Sequence, residues 1–451
     1  MLTFIIGICG ILLTILLVVG IHEFGHFIVA RLVGVKVLRF SIGFGKALYR
    51  FQRKNGTEYV IAAIPLGGYV KMLDESEGKV PADELHLAYN QQPIYKRFLI
   101  VIAGPLFNIL FSLTIYWFLF MAGIVTFVPL VGKVLPHSIA AEAGLKPNQE
   151  ITHINTIATP TWENIVIRIL NQAGDTGMMK VGILESKTHK PKQLTFNLAE
   201  WHLDDLKPEP LESLGITPYE PPTSTLVEKI QPQSDAFNKL LKNDKIIAVG
   251  NKKVNDWSEL AKIILSHPNE TLLFTIKRQN KTLKLPITLG TKKHFFAKET
   301  GFLGMTPQFE WPKELLRVQK WGPAPAFTHA LSETQDLVSL NLIILKKLVT
   351  GKISIKSLGG PITIFESAGT ALNNGTISFL SFLAFLSIAI GVINILPIPG
   401  LDGGHVLFQL MEFISRRPVP LTVQLLFFRL GIIFLLMVMA QAVINDVLRL
   451  S

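Results

Sequence analysis

Four long apolar runs restrict what this 451-residue chain can fold into: Leu2 to about Val33, Phe98 to Leu130, Ile377 to Leu396, and Leu425 to Val447. A helix crosses a bilayer with about 20 apolar residues, so each run is long enough to span. The chain therefore reads as a polytopic α-helical membrane protein. A cleaved secretory signal is the alternative for the first run, but residues 1–30 carry no Lys or Arg for a charged leader segment, and the run is too long. The formal net charge of +11 could suggest a nucleic-acid partner, but no basic segment is interleaved with aromatic residues. No nucleic acid is expected. The only cysteine, Cys9, lies within the first run, so no intrachain disulfide can form.

The excess charge tracks topology. Arg31, Lys36, Arg39, Lys46, Arg50, Arg53, Lys54, Lys71, Lys79, Lys96 and Arg97 all fall between the first two runs or at their edges, which predicts a cytoplasmic segment. Arg416 and Arg417, between the last two runs, agree. Both termini and the long stretch from Pro129 to Asn374 are then expected outside.

That stretch contains an internal repeat. "VGKVLPHSIAAEAGLKPNQEITHINTIATPTW" (131–162) pairs with "VEKIQPQSDAFNKLLKNDKIIAVGNKKVNDW" (227–257), and "LGITP" (214–218) answers "LGMTP" (303–307). Each copy predicts a compact β-rich unit resembling bacterial PDZ domains, which accept an extended peptide along a strand edge beside a Gly-containing loop. The copies depart from that pattern at Asn148-Gln149 and Leu240-Leu241. They serve either as peptide receptors or as spacers. In the first sense, a change at Gly215 should disturb peptide capture alone. Leu315 to Ile355 predicts an amphipathic helical stretch, lying on a membrane surface or packed on the repeats and ended by Gly359-Gly360-Pro361.

"HEFGH" (22–26) places His22 and His26 about 40° apart around a helix, so both can hold one metal ion. Glu23 stands about 100° from His22 and can reach a metal-bound water as general base. Ionisable groups within a bilayer span are costly, which makes them functional by default. A third ligand is offered by "NILPIPGLDGG" (394–404), where Asn394, Pro397 and Pro399 break the helix and Asp402 follows. An aspartate at such a place also commonly caps a helix. The alternating topology nevertheless puts His22 and Asp402 near the same membrane face. A His–His–Asp set with an open water position is the economical reading, with one Zn2+ per chain.

With HEFGH on the first span, the N-x-x-P-x-P-x-L-D-G phrase after the third and two PDZ-like repeats between the second and third, the whole chain resembles the bacterial branch of the site-2 protease family of intramembrane zinc metalloproteases. The resemblance implies that His22, His26 and Asp402 bind zinc, that Glu23 is the catalytic base, and that Asn394, Pro397 and Pro399 help hold substrate. It also implies a place in the bacterial inner membrane, with periplasmic termini and repeats and a site near the cytoplasmic side. The implied substrates are single-span membrane proteins, such as an anti-sigma factor already trimmed by an upstream site-1 protease, and remnant signal peptides.

"GFGKALYRFQRKNGTEYVIAAIPLGGYVKM" (43–72) alternates around Asn55-Gly56 as a β-hairpin does, and resembles the family's membrane-associated hairpin. Its Gly67, Gly68 and Tyr69 are expected to receive an unwound substrate; a plain turn at the two glycines is the structural alternative. "AGPLFNIL" (103–110) also matches the family, with Asn108 as a helix-packing residue or a substrate contact. The expected layout is 1–33 first span, 34–96 hairpin region, 97–130 second span, 131–221 and 222–309 PDZ-like units, 310–375 amphipathic linker, 376–404 third span, 405–424 cytoplasmic loop and 425–451 fourth span. Two other classes fit parts of the sequence: a metal transporter, which would not need Glu23 as a base, and a non-enzymatic scaffold, for which the histidines would be dispensable.

Overall fold

A computed structural model describes residues 2–53, 56–185, 188, 190–204, 209–221, 223–232, 234–292, 299–308 and 311–450. Helix α1 (Leu2–Leu32) leads into an antiparallel hairpin of β1 (Val37–Gln52) and β2 (Glu58–Met72), with Gln52 opposite Glu58 and Ser41 opposite Tyr69. Asn55 of the predicted turn lies outside the described residues. Helix α2 (Ile94–Ala122) follows and packs along α1. In hydrocarbon every backbone group must be satisfied within the segment, so these apolar runs have no stable alternative to helix.

The second run was expected to stay helical to Leu130, but α2 stops at Ala122. Gly123 takes φ +103°, outside the helical region, and the β-branched Ile124-Val125-Thr126 continues as strand β3 (Ile124–Phe127). Beyond it stand two units of the same design. The first has a four-stranded sheet in the order 157–158, 150–154, 178–184, 191–197, a helix α3 (Trp162–Asn171), and a separate pair of Val131–Val134 with Ile216–Pro218. The second repeats this order with 252–253, 245–249, 271–278 and 281–288, helix α4 (Trp257–Ser266), and Val227–Ile230 paired with Met305–Pro307. Thr161 and Asp256 cap the two helices from matching positions, accepting from the backbone N–H of Asn164 and Glu259. The internal repeat of the sequence is thus a repeat in space, and the alternating apolar residues fill two separate cores around Phe196 and Phe274.

Gly215 has a structural duty that the repeat alone did not reveal. It takes φ +84°, and a Cβ there would lie 2.1 Å from Ser138 Oγ. A change at Gly215 therefore strains the unit itself rather than peptide capture alone.

Strand β4 (Leu316–Gln319) returns beside β3, and the two close the neck of the excursion. The amphipathic stretch was expected from Leu315, but it begins as this strand. Its helix, α5 (Pro323–Val349), starts at the favoured proline position and packs on the first unit and on α2. Arg168 donates to Asp336 at 2.7 Å, and Lys347 Nζ donates to the Asn171 carbonyl at 2.7 Å. Gly359-Gly360-Pro361, expected to end that stretch, instead opens α6 (Pro361–Asn373). Asp446 of the last helix accepts from Gly360 N–H at 2.9 Å and Ile362 N–H at 2.8 Å, which satisfies the free end of α6.

Helix α7 (Thr376–Ile395) lies against α2, where Ser387 Oγ donates to the Asn108 carbonyl at 2.9 Å. Helix α8 (Asp402–Ser415) occupies half of the stretch expected as a loop, because its apolar residues recur at helical spacing after the Gly403-Gly404 pair. Helix α9 (Leu421–Leu450) ends the chain. Four helices, α1, α2, α7 and α9, are long and apolar enough to cross a membrane.

Candidate metal centre

His22 and His26 project from the same side of α1, and their Nε2 atoms stand 3.3 Å apart. Asp402, the first residue of α8, brings Oδ2 to 3.0 Å from His22 Nε2 and 3.4 Å from His26 Nε2. The protons on the far sides of the rings decide what these three atoms are. His26 Nδ1 is 2.8 Å from the Ile100 carbonyl, which can only accept, so the ring proton is on Nδ1 and Nε2 is a bare lone pair. Asn108 is fully buried, its amide nitrogen sits 3.3 Å from His22 Nδ1, and its amide oxygen has no partner. With the amide turned so that this oxygen faces the ring, His22 Nδ1–H donates to it and His22 Nε2 is likewise free.

In that arrangement three acceptor atoms converge with no proton between them, and Asp402 Oδ2 is buried without a hydrogen-bond donor. Such a cluster calls for a cation. Ligands held about 2.0–2.1 Å from a tetrahedral zinc ion stand about 3.4 Å from one another, which matches this spacing. The residues fit the metal.

Room for the two rings comes from α2. At Gly104 a Cβ would lie 2.3 Å from His26 Nε2 and 2.9 Å from His22 Cε1, so only glycine lets α2 pass here. Glu23 points into the same cavity of about 510 Å³, which His22, His26 and Asp402 also line. Gly68 of β2 lies against Glu23, where a Cβ would come within 2.7 Å of Glu23 Cγ. Gly68 and Tyr69 therefore form one wall. Among the described residues the hairpin is a two-stranded sheet, so β2 offers an edge without a strand partner. Asn394, expected to break the helix, is still within the last turn of α7, and only Pro397 and Pro399 lie in the connection to α8; Gly400 reaches the cavity wall but those three do not. Gly67 is also off the wall.

The profile of peptidase family M50 matches residues 10–438. The chain belongs to this family. It is 37% identical over 452 residues to the regulator of sigma-E protease RseP of Escherichia coli strain K12, covering 100% of both chains. It is 37% identical over 443 residues to protease RseP of Yersinia pestis, covering 98% of this chain and 97% of that one. The regulator of sigma E protease of Haemophilus influenzae is 34% identical over 449 residues. Among solved structures, the PDZ domain of an SdrC-like protein from Listeria innocua is similar to 20% of this chain and 97% of that domain, at 20% identity and a TM-score of 0.17.

This M50 member is an RseP-like zinc metalloprotease of the membrane, with four spanning helices and two PDZ-like β-rich units. Some residues at its centre escaped the sequence reading. Gly104 is one; Asn108 was expected as a packing residue or substrate contact but not as a neighbour of His22, although the two are four apart in "AGPLFN" and the arithmetic that paired His22 with His26 would have put them on one helix face. Tyr89 and His405 also line the cavity. His405 was visible three residues beyond Asp402, whereas Tyr89 lies in a segment with no periodicity to reveal it. Burial pushes the Tyr89 phenol up to about 12, so it stays a neutral hydrogen-bonding group.

Proposed function

We propose that this protease hydrolyses a peptide bond within the membrane segment of single-span proteins, with His22, His26 and Asp402 holding one zinc ion and Glu23 acting as general base. The supporting observation is the meeting of three bare acceptor atoms beside Glu23, in a cavity walled by the hairpin. Zinc, when bound, supplies Lewis acidity toward the scissile carbonyl and toward water. Glu23 takes a proton from the attacking water and delivers it to the departing amide nitrogen, which needs a carboxylate beside the metal site but not ligated to it. A helical substrate must unwind to expose the bond. The open edge of β2 offers it replacement backbone hydrogen bonds, with Gly68 and Tyr69 at the contact and Gly67, Asn394, Pro397 and Pro399 flanking the path.

By analogy with the RseP relatives, the substrate is an anti-sigma factor first trimmed by a site-1 protease, and signal-peptide remnants form a second class. The basic hairpin region supports an orientation with the metal site near the cytoplasmic side of a bacterial inner membrane and the PDZ-like units in the periplasm. Reporter fusions at Lys79 and at Asn251 test this orientation, which fails if Lys79 reads external.

Catalysis is tested with purified protein in detergent and a single-span substrate. Glu23→Gln should keep its zinc and lose on the order of 10²-fold or more in rate. Proteolysis at the parent rate would exclude Glu23 as base. Metal flux that persists in Glu23→Gln, with no proteolysis by the parent, would favour a transporter.

A further inference from the structure

Asp402 supplies the third ligand from a different part of the chain than the two histidines. Nothing on its own side chain fixes it, since Oδ2 receives no hydrogen bond from protein. Its place is set by where α8 lies. At its first turn α8 is pressed onto the preceding connection: a Cβ at Gly403 would meet the Leu396 carbonyl at 2.0 Å. That contact fixes one end of the helix but leaves its direction open.

The direction is set further along. Arg97, in the first turn of α2, grips Glu412 with two parallel hydrogen bonds, Nη2 to Oε1 at 2.7 Å and Nη1 to Oε2 at 3.0 Å. Arg97 is itself held by Nε donating to the Gln92 carbonyl at 3.0 Å, and the pair is only 15% and 20% exposed. Gln409, two turns after Asp402 and on the same helix face, donates to Tyr89 Oη at 3.0 Å. On the outer face of α8, Ile414 is 74% exposed.

We infer that Arg97 and Glu412 are positioning residues for the metal centre: the ion pair aims α8 so that Asp402 meets His22 and His26 at ligand distance. Bidentate pairing suits this duty because it fixes an angle as well as a distance. The inference rests on the reading of Asp402 as a metal ligand.

The test measures zinc affinity by chelator competition on the full chain in detergent, with kcat and KM on a single-span substrate and thermal unfolding as a check of integrity. Arg97→Ala and Glu412→Ala should each lower zinc affinity about tenfold, the scale of supporting residues around a metal site. Their kcat should fall with KM little changed. The double alanine variant should be no worse than either single one, and the charge swap Arg97→Glu with Glu412→Arg should recover most of the affinity. Parent-like zinc affinity in both single variants would overturn the inference, as would a double variant whose loss is the product of the single losses. Asp402→Ala separates the two levels: if it keeps its zinc, the ligand reading falls, and if it alone loses zinc, only the clamp falls. Where the swapped chain does not fold, the alanine cycle decides.

Discussion

Asn108 stands behind His22, 3.3 Å from the nitrogen that faces away from Asp402, and it is fully enclosed between α1, α2 and α7. Its amide fixes which ring nitrogen carries the proton, and so which one meets the metal. Asn108→Leu should therefore weaken zinc binding by about 10–100-fold while leaving all three ligands present. Chelator competition measures this, and unchanged affinity would remove Asn108 from the support of the site.

Gly104 makes the complementary prediction by shape. A methyl group there would overlap the His26 ring, with α2 backbone on the other side. Gly104→Ala should reduce bound zinc and lower the unfolding temperature together, because either the rings or the helix must move. Metal analysis showing full occupancy in Gly104→Ala would mean that α2 yields without cost.

The spans, the repeat and the clustering of His22, His26 and Asp402 were legible because each rests on periodicity, spacing or the direction of the spans, which one sequence displays. HEFGH encodes its own geometry, and "LGITP" and "LGMTP" each end a unit with the same left-handed glycine. What was not legible depends on pairing between distant segments. The end of α2 at Ala122 follows from Gly123 and from the pairing of β3 with β4, whose strand begins only at Leu316. The opening of α6 by Gly360 depends on Asp446, far along the chain. Helix α8 was read as a loop because its apolar face is short and follows the proline-rich break.

The junction of the first PDZ-like unit with α5 should respond to pH. Glu333 is pushed up to about 7 from an ordinary value near 4.5, first by burial, then by the carboxylates of Glu163 and Asp336, partly offset by Asn164 and Arg168. Arg168 and His329 line the same cavity. A carboxyl raised on folding adds stability that is complete below about 4.5 and is lost as pH rises through about 7. Limited proteolysis should therefore find α3 and α5 better protected at pH 5 than at pH 8, and Glu333→Gln should flatten the difference. An unchanged pH slope in that variant would assign it to other groups.

Because β3 and β4 close the neck, Val131 to Pro307 can be replaced by a flexible linker with both strands retained. The shortened protein should bind zinc as the parent does. It should also cleave substrates that still carry a bulky external domain, if the units act as a steric filter on access. Loss of the α3 contact through Ile167 should lower thermal stability, since that residue is buried among α2 and α5 side chains. The comparison uses substrates with and without the folded domain, and equal discrimination by both proteins would place the filter elsewhere.

The wide separation of the three proposed metal ligands along the chain would also govern when this protein becomes active. His22 and His26 leave the ribosome long before Asp402, which follows only after both β-rich units and α7 have been made. A pair of imidazoles alone holds zinc weakly, and metal binding is tied to formation of the complete ligand set. The growing chain therefore passes through most of its synthesis and insertion as a protease without a working centre, beside many other apolar segments that it could otherwise cut. Activity would switch on with the docking of α8.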